Sequence, residues 1–159
     1  MSRTNRIQQN TIGAALSRSA RKHGNKLALA FEGRRWRYAE LNRAVNRVAN
    51  RLLATGLTPG DRLAVYGKNS DAYVIAWLAA TRAGLVHVPI NFALSADELR
   101  YILEQSGAAG LLSDSSLADN VTRASAGLDL ALAGTLHARD GAGFDVLEAA
   151  LEEGDDDEP

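Results

Sequence analysis

Pro59-Gly60-Asp61-Arg62-Leu63-Ala64-Val65-Tyr66-Gly67-Lys68-Asn69-Ser70-Asp71 decides how this chain folds. Pro59-Gly60-Asp61 is a turn signal, and Arg62 to Tyr66 is an apolar run of strand length. Asn69 or Ser70 can cap the helix predicted over Asp71–Ala83, which is apolar on most sides and so expected to be buried on both faces. Leu85–Val88 reads as the next strand, closed by Pro89, which has no N–H to give to a ladder. Ser95-Ala96-Asp97-Glu98 is a capping box, and the helix it opens runs to about Ser106. Gly110–Ser113 is a third short strand. Parallel strands need crossovers of this length, and right-handed crossovers place helices on both sides of the sheet. The expected fold class is therefore α/β: a doubly wound, mostly parallel sheet with helices on both faces.

The same periodicities extend in both directions. Thr11–His23 reads as a first helix, with Ile12, Leu16 and Ala20 at helical spacing and Gly24 as a stop. Leu27–Phe31 reads as a strand, Glu32-Gly33-Arg34 as a turn and Arg35–Arg37 as a short returning strand. Tyr38–Thr55 is the clearest helix: Leu41, Val45, Val48 and Leu52 line one face and Gly56 ends it. Downstream, Ser115–Ala126 reads as a helix, Leu128–Leu132 as a weak strand and Phe144–Glu153 as a final helix. The expected organisation is a flexible amino terminus over 1–10, a single α/β domain over 11–153, and an acidic disordered tail over 154–159.

Composition excludes several classes of function. The chain has 159 residues, 46% hydrophobic, which suits a packed core and not disorder. No run of eighteen or more apolar residues is present, so no membrane span is expected. No apolar signal core follows the basic start, so a cytoplasmic location is expected. With no Cys there is no disulfide framework, thiolate metal site or thiol nucleophile. Asn120-Val121-Thr122 fits a glycosylation sequon and is taken as chance. The net charge of −1 hides a split: residues 1–100 carry 16 Lys/Arg against 6 Asp/Glu, and residues 101–159 carry 2 against 13. A basic half attracts polyanions, but charge balance within the molecule accounts for the split more simply. No nucleic-acid partner is expected.

No residue stands out as catalytic, cofactor-binding or metal-binding. The turn after Tyr66 has a single Gly, and Gly141-Ala142-Gly143 lacks a third at Val146, so neither cradles a dinucleotide. The Gly67-Lys68 pair has no Walker spacing. Gly67-Lys68-Asn69-Ser70 does lie where open α/β sheets place ligands, beyond a strand's carboxyl end, and Lys68 could meet an anion there; the simpler reading is a capped loop. Arg43, Arg47 and Arg51 repeat every four residues opposite the apolar face, as a solvated stripe or a grip for phosphate. His23, His87 and His137 share no ligand spacing. His23 sits at a helix carboxyl end, and His87 is expected to be a hydrogen-bonded core residue. Trp36, Trp77 and the tyrosines read as packing residues.

The order of motifs over roughly residues 11–113 resembles the amino-terminal region of the adenylate-forming enzymes. Trp36-Arg37-Tyr38-Ala39-Glu40-Leu41 is similar to the family's "TYxEL" helix start, and Gly56-Leu57-Thr58-Pro59-Gly60-Asp61-Arg62-Leu63-Ala64-Val65 to its "G(V/L)xPGDRVA" segment. Asn69-Ser70, Ala83-Gly84 and Val88-Pro89 follow in the family's order. Val88-Pro89-Ile90-Asn91-Phe92 with the helix after it looks most like the fatty acyl-CoA ligases. Arg37 stands where the family has Thr, at a capping cost of roughly 1 kcal/mol. After about Asp119 the resemblance fades.

The resemblance implies an amino-terminal fragment of an ATP-dependent acyl-CoA synthetase, inactive alone because no position matches the family's phosphate loop, adenine and ribose contacts or catalytic Lys. It implies ATP, Mg²⁺ and CoA for a full-length parent and no cofactor in this chain. The implied partner is the remainder of the synthetase, in cis or in trans, and unpaired sheet edges favour self-association. The rival readings are a naturally short, non-catalytic scaffold or binding protein derived from such an enzyme, or a subunit completed by a separate chain, and an unrelated small nucleotide-binding α/β protein.

Overall fold

A computed structural model describes residues 11–137 and 143–159. The elements in chain order are α1 (Ile12–His23), β1 (Leu27–Phe31), β2 (Arg34–Arg37), α2 (Tyr38–Ala54), β3 (Arg62–Gly67), α3 (Asp71–Arg82), β4 (Val86–Asn91), α4 (Ala96–Ser106), β5 (Ala108–Ser113), a 3₁₀ turn (Ser115–Leu117), α5 (Ala118–Ser125), β6 (Leu132–Thr135) and α6 (Val146–Leu151). The expected flexible start, residues 1–10, and the Gly141-Ala142 pair lie outside the described residues.

The main sheet is four-stranded, in the order β4-β3-β5-β6, and every pairing is parallel. The β3–β4 step runs toward one edge, while the β4–β5 and β5–β6 steps run toward the other. Right-handed crossovers then put α3 on one face and α4 and α5 on the opposite one. The two cores follow that division. Leu63, Val65 and Leu112 face α1, α2, α3 and α6, whereas Ala64, Tyr66 and Leu111 face α4 and α5. Alternate residues of β3 thus feed both cores, which is why that strand reads as a continuous apolar run. Tyr66 is fully buried, with its hydroxyl donating to Leu94 O at 2.7 Å and accepting from Asn120 Nδ2 at 3.1 Å. The sequon residue Asn120 therefore serves this core.

β1 and β2 stand apart from the main sheet as an antiparallel ribbon. Its two-residue turn has positive φ at both Glu32 (44°) and Gly33 (84°), as a primed hairpin turn requires. Helix starts follow the capping signals: Ser70 Oγ accepts from Tyr73 N at 3.1 Å, and Ser95 and Glu98 complete their reciprocal box. At Arg37 only the reverse half forms, with Arg37 N donating to Glu40 Oε2 at 2.7 Å.

Three expectations need correction. Pro89 lies inside β4 and does not close it, because β4 is an edge strand and a missing N–H is tolerated there. The last strand is Leu132–Thr135, where Ala131 N bonds Ala109 O at 2.8 Å; Leu128–Leu132 leads into it. The final helix is shorter than expected, Val146–Leu151. The segment after it lies along α2, with Asn46 Nδ2 donating to Asp156 O at 2.5 Å and Asn50 Nδ2 to Asp157 O at 3.0 Å. The opposed charges of the two halves of the chain supply the attraction that a free, solvated tail would lack.

Candidate functional site

The carboxyl ends of β3, β5 and β6 open onto a crevice of about 680 Å³, lined by Lys68, Asn69 and Ser70 after β3, Asp114, Ser115 and Ser116 after β5, and Leu136 and His137 after β6. Its position follows from the topology. β3 and β5 are neighbours whose crossovers leave in opposite directions, so their exit loops part and leave a gap. The β1–β2 turn closes one wall with Phe31, Glu32 and Arg34. Gly67 lets the strand end approach closely: a Cβ there would meet Leu136 Cδ1 at 2.6 Å.

One side of the mouth is set by a charge cluster that joins the ribbon to the start of α3. The Asp71 side chain is fully buried. Its Oδ2 accepts from Arg34 Nε at 2.7 Å and Trp36 Nε1 at 2.9 Å, and its Oδ1 from Arg34 Nη2 at 2.9 Å and Ala72 N at 3.0 Å. Burial alone would push this carboxyl up; the Arg34 and Trp36 hydrogen bonds outweigh it and hold Asp71 below the usual carboxylate range. Arg34 is raised in turn, chiefly by its hydrogen bond to Asp71. Asp114 shows the same contest: burial pushes it up, and the hydrogen bonds from Ser116 with the nearby Lys68 charge bring it below the usual range.

Of the residues singled out in the sequence, Lys68, Asn69, Ser70 and His137 meet at this crevice. Lys68 Nζ lies 5.8 Å from the centre of the Phe92 ring. His87 is elsewhere, half-buried on β4 and edge-on to Tyr73 at 5.8 Å; its Nε2 has no hydrogen-bond partner, contrary to the expected bonded core histidine, and burial lowers it. Trp36 is a core residue, and Trp77, 37% exposed, lies at the core edge. The Arg43, Arg47 and Arg51 stripe is paired but mostly exposed: Arg43 and Arg47 face Asp156 at 3.8 and 3.7 Å, and Arg51 pairs with Glu152 at 2.5 Å. The cluster at Asp71 is not singled out by the sequence, where Asp71 only begins the predicted helix; the hint is the Arg34 and Trp36 pair on one strand. Among the described residues no group of three or more His, Asp or Glu could hold a metal ion, and no helix is long and apolar enough to cross a membrane.

Comparison with known proteins places this geometry. The family described as AMP-binding enzyme matches residues 16–157, well past the point where the likeness fades to the eye. A feruloyl-CoA synthase of Amycolatopsis sp is 41% identical over 130 residues, which is 81% of this chain and 26% of that protein. A mitochondrial medium-chain acyl-CoA ligase of Rattus norvegicus is 39% identical over 104 residues, 64% of this chain and 17% of that protein. The crystal structure of the N-terminal domain of FACL13 from Mycobacterium tuberculosis superposes with a TM-score of 0.82 at 28% identity, over 94% of this chain and 38% of that one. The chain thus spans about a quarter or less of the length of these curated relatives. With the parallel four-stranded sheet and its two helical faces, the family match settles the assignment: the chain belongs to the AMP-binding enzymes.

Proposed function

We propose that this chain supplies an amino-terminal part of the scaffold of an ATP-dependent acyl-CoA synthetase and is inactive by itself. The parent reaction has two steps. A carboxylate attacks the α-phosphorus of ATP, forming an acyl-adenylate and releasing pyrophosphate; the CoA thiol then attacks the acyl carbon, forming the thioester and releasing AMP. The observation that carries the reading is the family match over residues 16–157, joined to relatives named for acyl-CoA synthesis. Those proteins are several times longer, which supports a division of labour in which the rest of the AMP-binding domain, in cis or in trans, brings the reacting groups.

The donor set at the crevice fits that division. Both Asp71 oxygens are taken by Arg34, Trp36 and Ala72, and Asp114 Oδ1 accepts from Ser116 N at 2.9 Å. These residues do not fit a Mg²⁺ site, and no chemical step is assigned to them. Their part is positional: the Arg34–Asp71–Trp36 cluster fixes the ribbon against α3 and so fixes the mouth of the switch-point crevice.

The test is carboxylate-dependent ATP–pyrophosphate exchange, with ferulate and medium-chain fatty acids as probes, on the gene product isolated from its own cells and on residues 1–159 alone. The expected result is exchange by the isolated gene product and none by residues 1–159. A gene product of intact mass near 17.0 kDa that shows no exchange, even with its co-purifying proteins, would contradict the reading.

A further inference from the structure

Beyond the crevice, a deeply buried cation among the described residues sits where α1, α2 and α3 meet. The Arg82 side chain is 1% exposed. Its Nη2 donates to Gly13 O at 2.8 Å and Ser17 Oγ at 3.0 Å, and its Nη1 to Asn42 O at 3.3 Å and to Asn46 Oδ1. All four partners are neutral, and Nε has no hydrogen-bond partner. A guanidinium this deep without a counter-charge carries a large desolvation cost. The nearest carboxylate to it is Glu158, with Oε1 3.9 Å from Nε, while Glu158 Oε2 accepts from Ser17 Oγ at 3.1 Å. Glu158 closes a cavity of about 270 Å³ whose other walls are Ala14, Ser17, Arg18 and Arg21.

We propose that Arg82 and Ser17 form a carboxylate-binding pocket and that Glu158 is its ligand, latching residues 152–158 across the helical face. The geometry assigns a graded set of contacts to that segment. Glu152 meets Arg51 and Asp156 meets Arg43 and Arg47, all at partly exposed positions, so these pairs are screened and weak. Glu158 reaches the more deeply buried cation, Arg82 at 1% exposed against 16% for Arg47. Burial lowers the Arg82 guanidinium, and the Glu158 charge opposes that shift. The latch ties the acidic end of the described chain to its basic first helices and needs no other element.

Hydrogen exchange of the whole chain, read by mass spectrometry at the amides of 154–158, tests this together with the Arg82 Nε–H resonance in NMR. Glu158→Gln keeps an oxygen for Ser17 and removes only the charge. It is expected to raise exchange at those amides about fivefold and to shift the Arg82 Nε–H signal. Glu152→Gln is expected to leave that signal in place. Arg82→Lys is the direct variant; should it fail to fold, Ser17→Ala removes the second arm of the pocket and is expected to speed exchange in the same direction. Unchanged exchange and an unmoved Arg82 signal in Glu158→Gln would overturn the proposal, as would equal release by Glu152→Gln, which would make the contact a diffuse attraction of charges.

Discussion

Asp71 is the residue on which the mouth of the crevice turns. Its carboxylate is buried and accepts from Arg34, Trp36 and the Ala72 amide. Its folded pKa is depressed, so the stability it contributes is present above the ordinary carboxylate value of about 3.9 and is lost as pH falls through the lower folded value. Asp71→Asn is expected to destabilise by about 2 kcal/mol at neutral pH, because Arg34 is left without its counter-charge while the indole keeps an acceptor. Urea unfolding at pH 7 and pH 3 checks this: the gap between the two proteins should narrow at the acid value, and a gap independent of pH would contradict the assigned role. His87 works in the same sense through a different cause. Burial lowers it, so its contribution is present above its ordinary value of about 6.5 and is lost as pH falls through the folded one.

At the scale of elements, local signals wrote most of the structure. Ser95 and Glu98 place the start of α4 within a residue, and Ser95→Ala is expected to cost about 1 kcal/mol in thermal or urea unfolding, an effect of zero arguing against the box. The β1–β2 turn holds Glu32 at a φ of 44°, a region that favours Asn or Gly, so Glu32→Asn is expected to raise stability by about 0.5–1 kcal/mol; a lower melting temperature would contradict the turn geometry. The helices and the strands of the βαβ run were legible because their apolar periods are strong and their caps explicit. Other features were decided by partners distant in sequence. Leu132–Thr135 became a strand through its pairing to β5, and Pro89 was admitted to β4 because that strand is at an edge. The crevice was legible only at Gly67-Lys68-Asn69-Ser70; its walls at Glu32, Asp114 and His137 depend on strand order, which no local pattern encodes.

The whole molecule is a basic set of helices and strands closed by an acidic end. The two halves carry 16 Lys/Arg against 6 Asp/Glu and 2 against 13, and the ion pairs that join them are mostly partly exposed. Salt therefore screens the union: raising NaCl from 0.05 to 1 M is expected to lower stability by about 1 kcal/mol, read as a fall in the thermal midpoint, and a rise across that range would contradict it. The edges of the main sheet are β4 and β6, and Val86, at the start of β4, is 49% exposed. Self-association that grows with concentration in sedimentation velocity is expected from such edges, and a strict monomer throughout would contradict it. A chain that supplies scaffold, as proposed, leaves the nucleotide site to the rest of the AMP-binding domain. Calorimetric titration of millimolar ATP with Mg²⁺ into residues 1–159 is the decisive measurement. No saturable heat is expected; saturable binding in the micromolar range would mean that the chain carries a nucleotide site of its own.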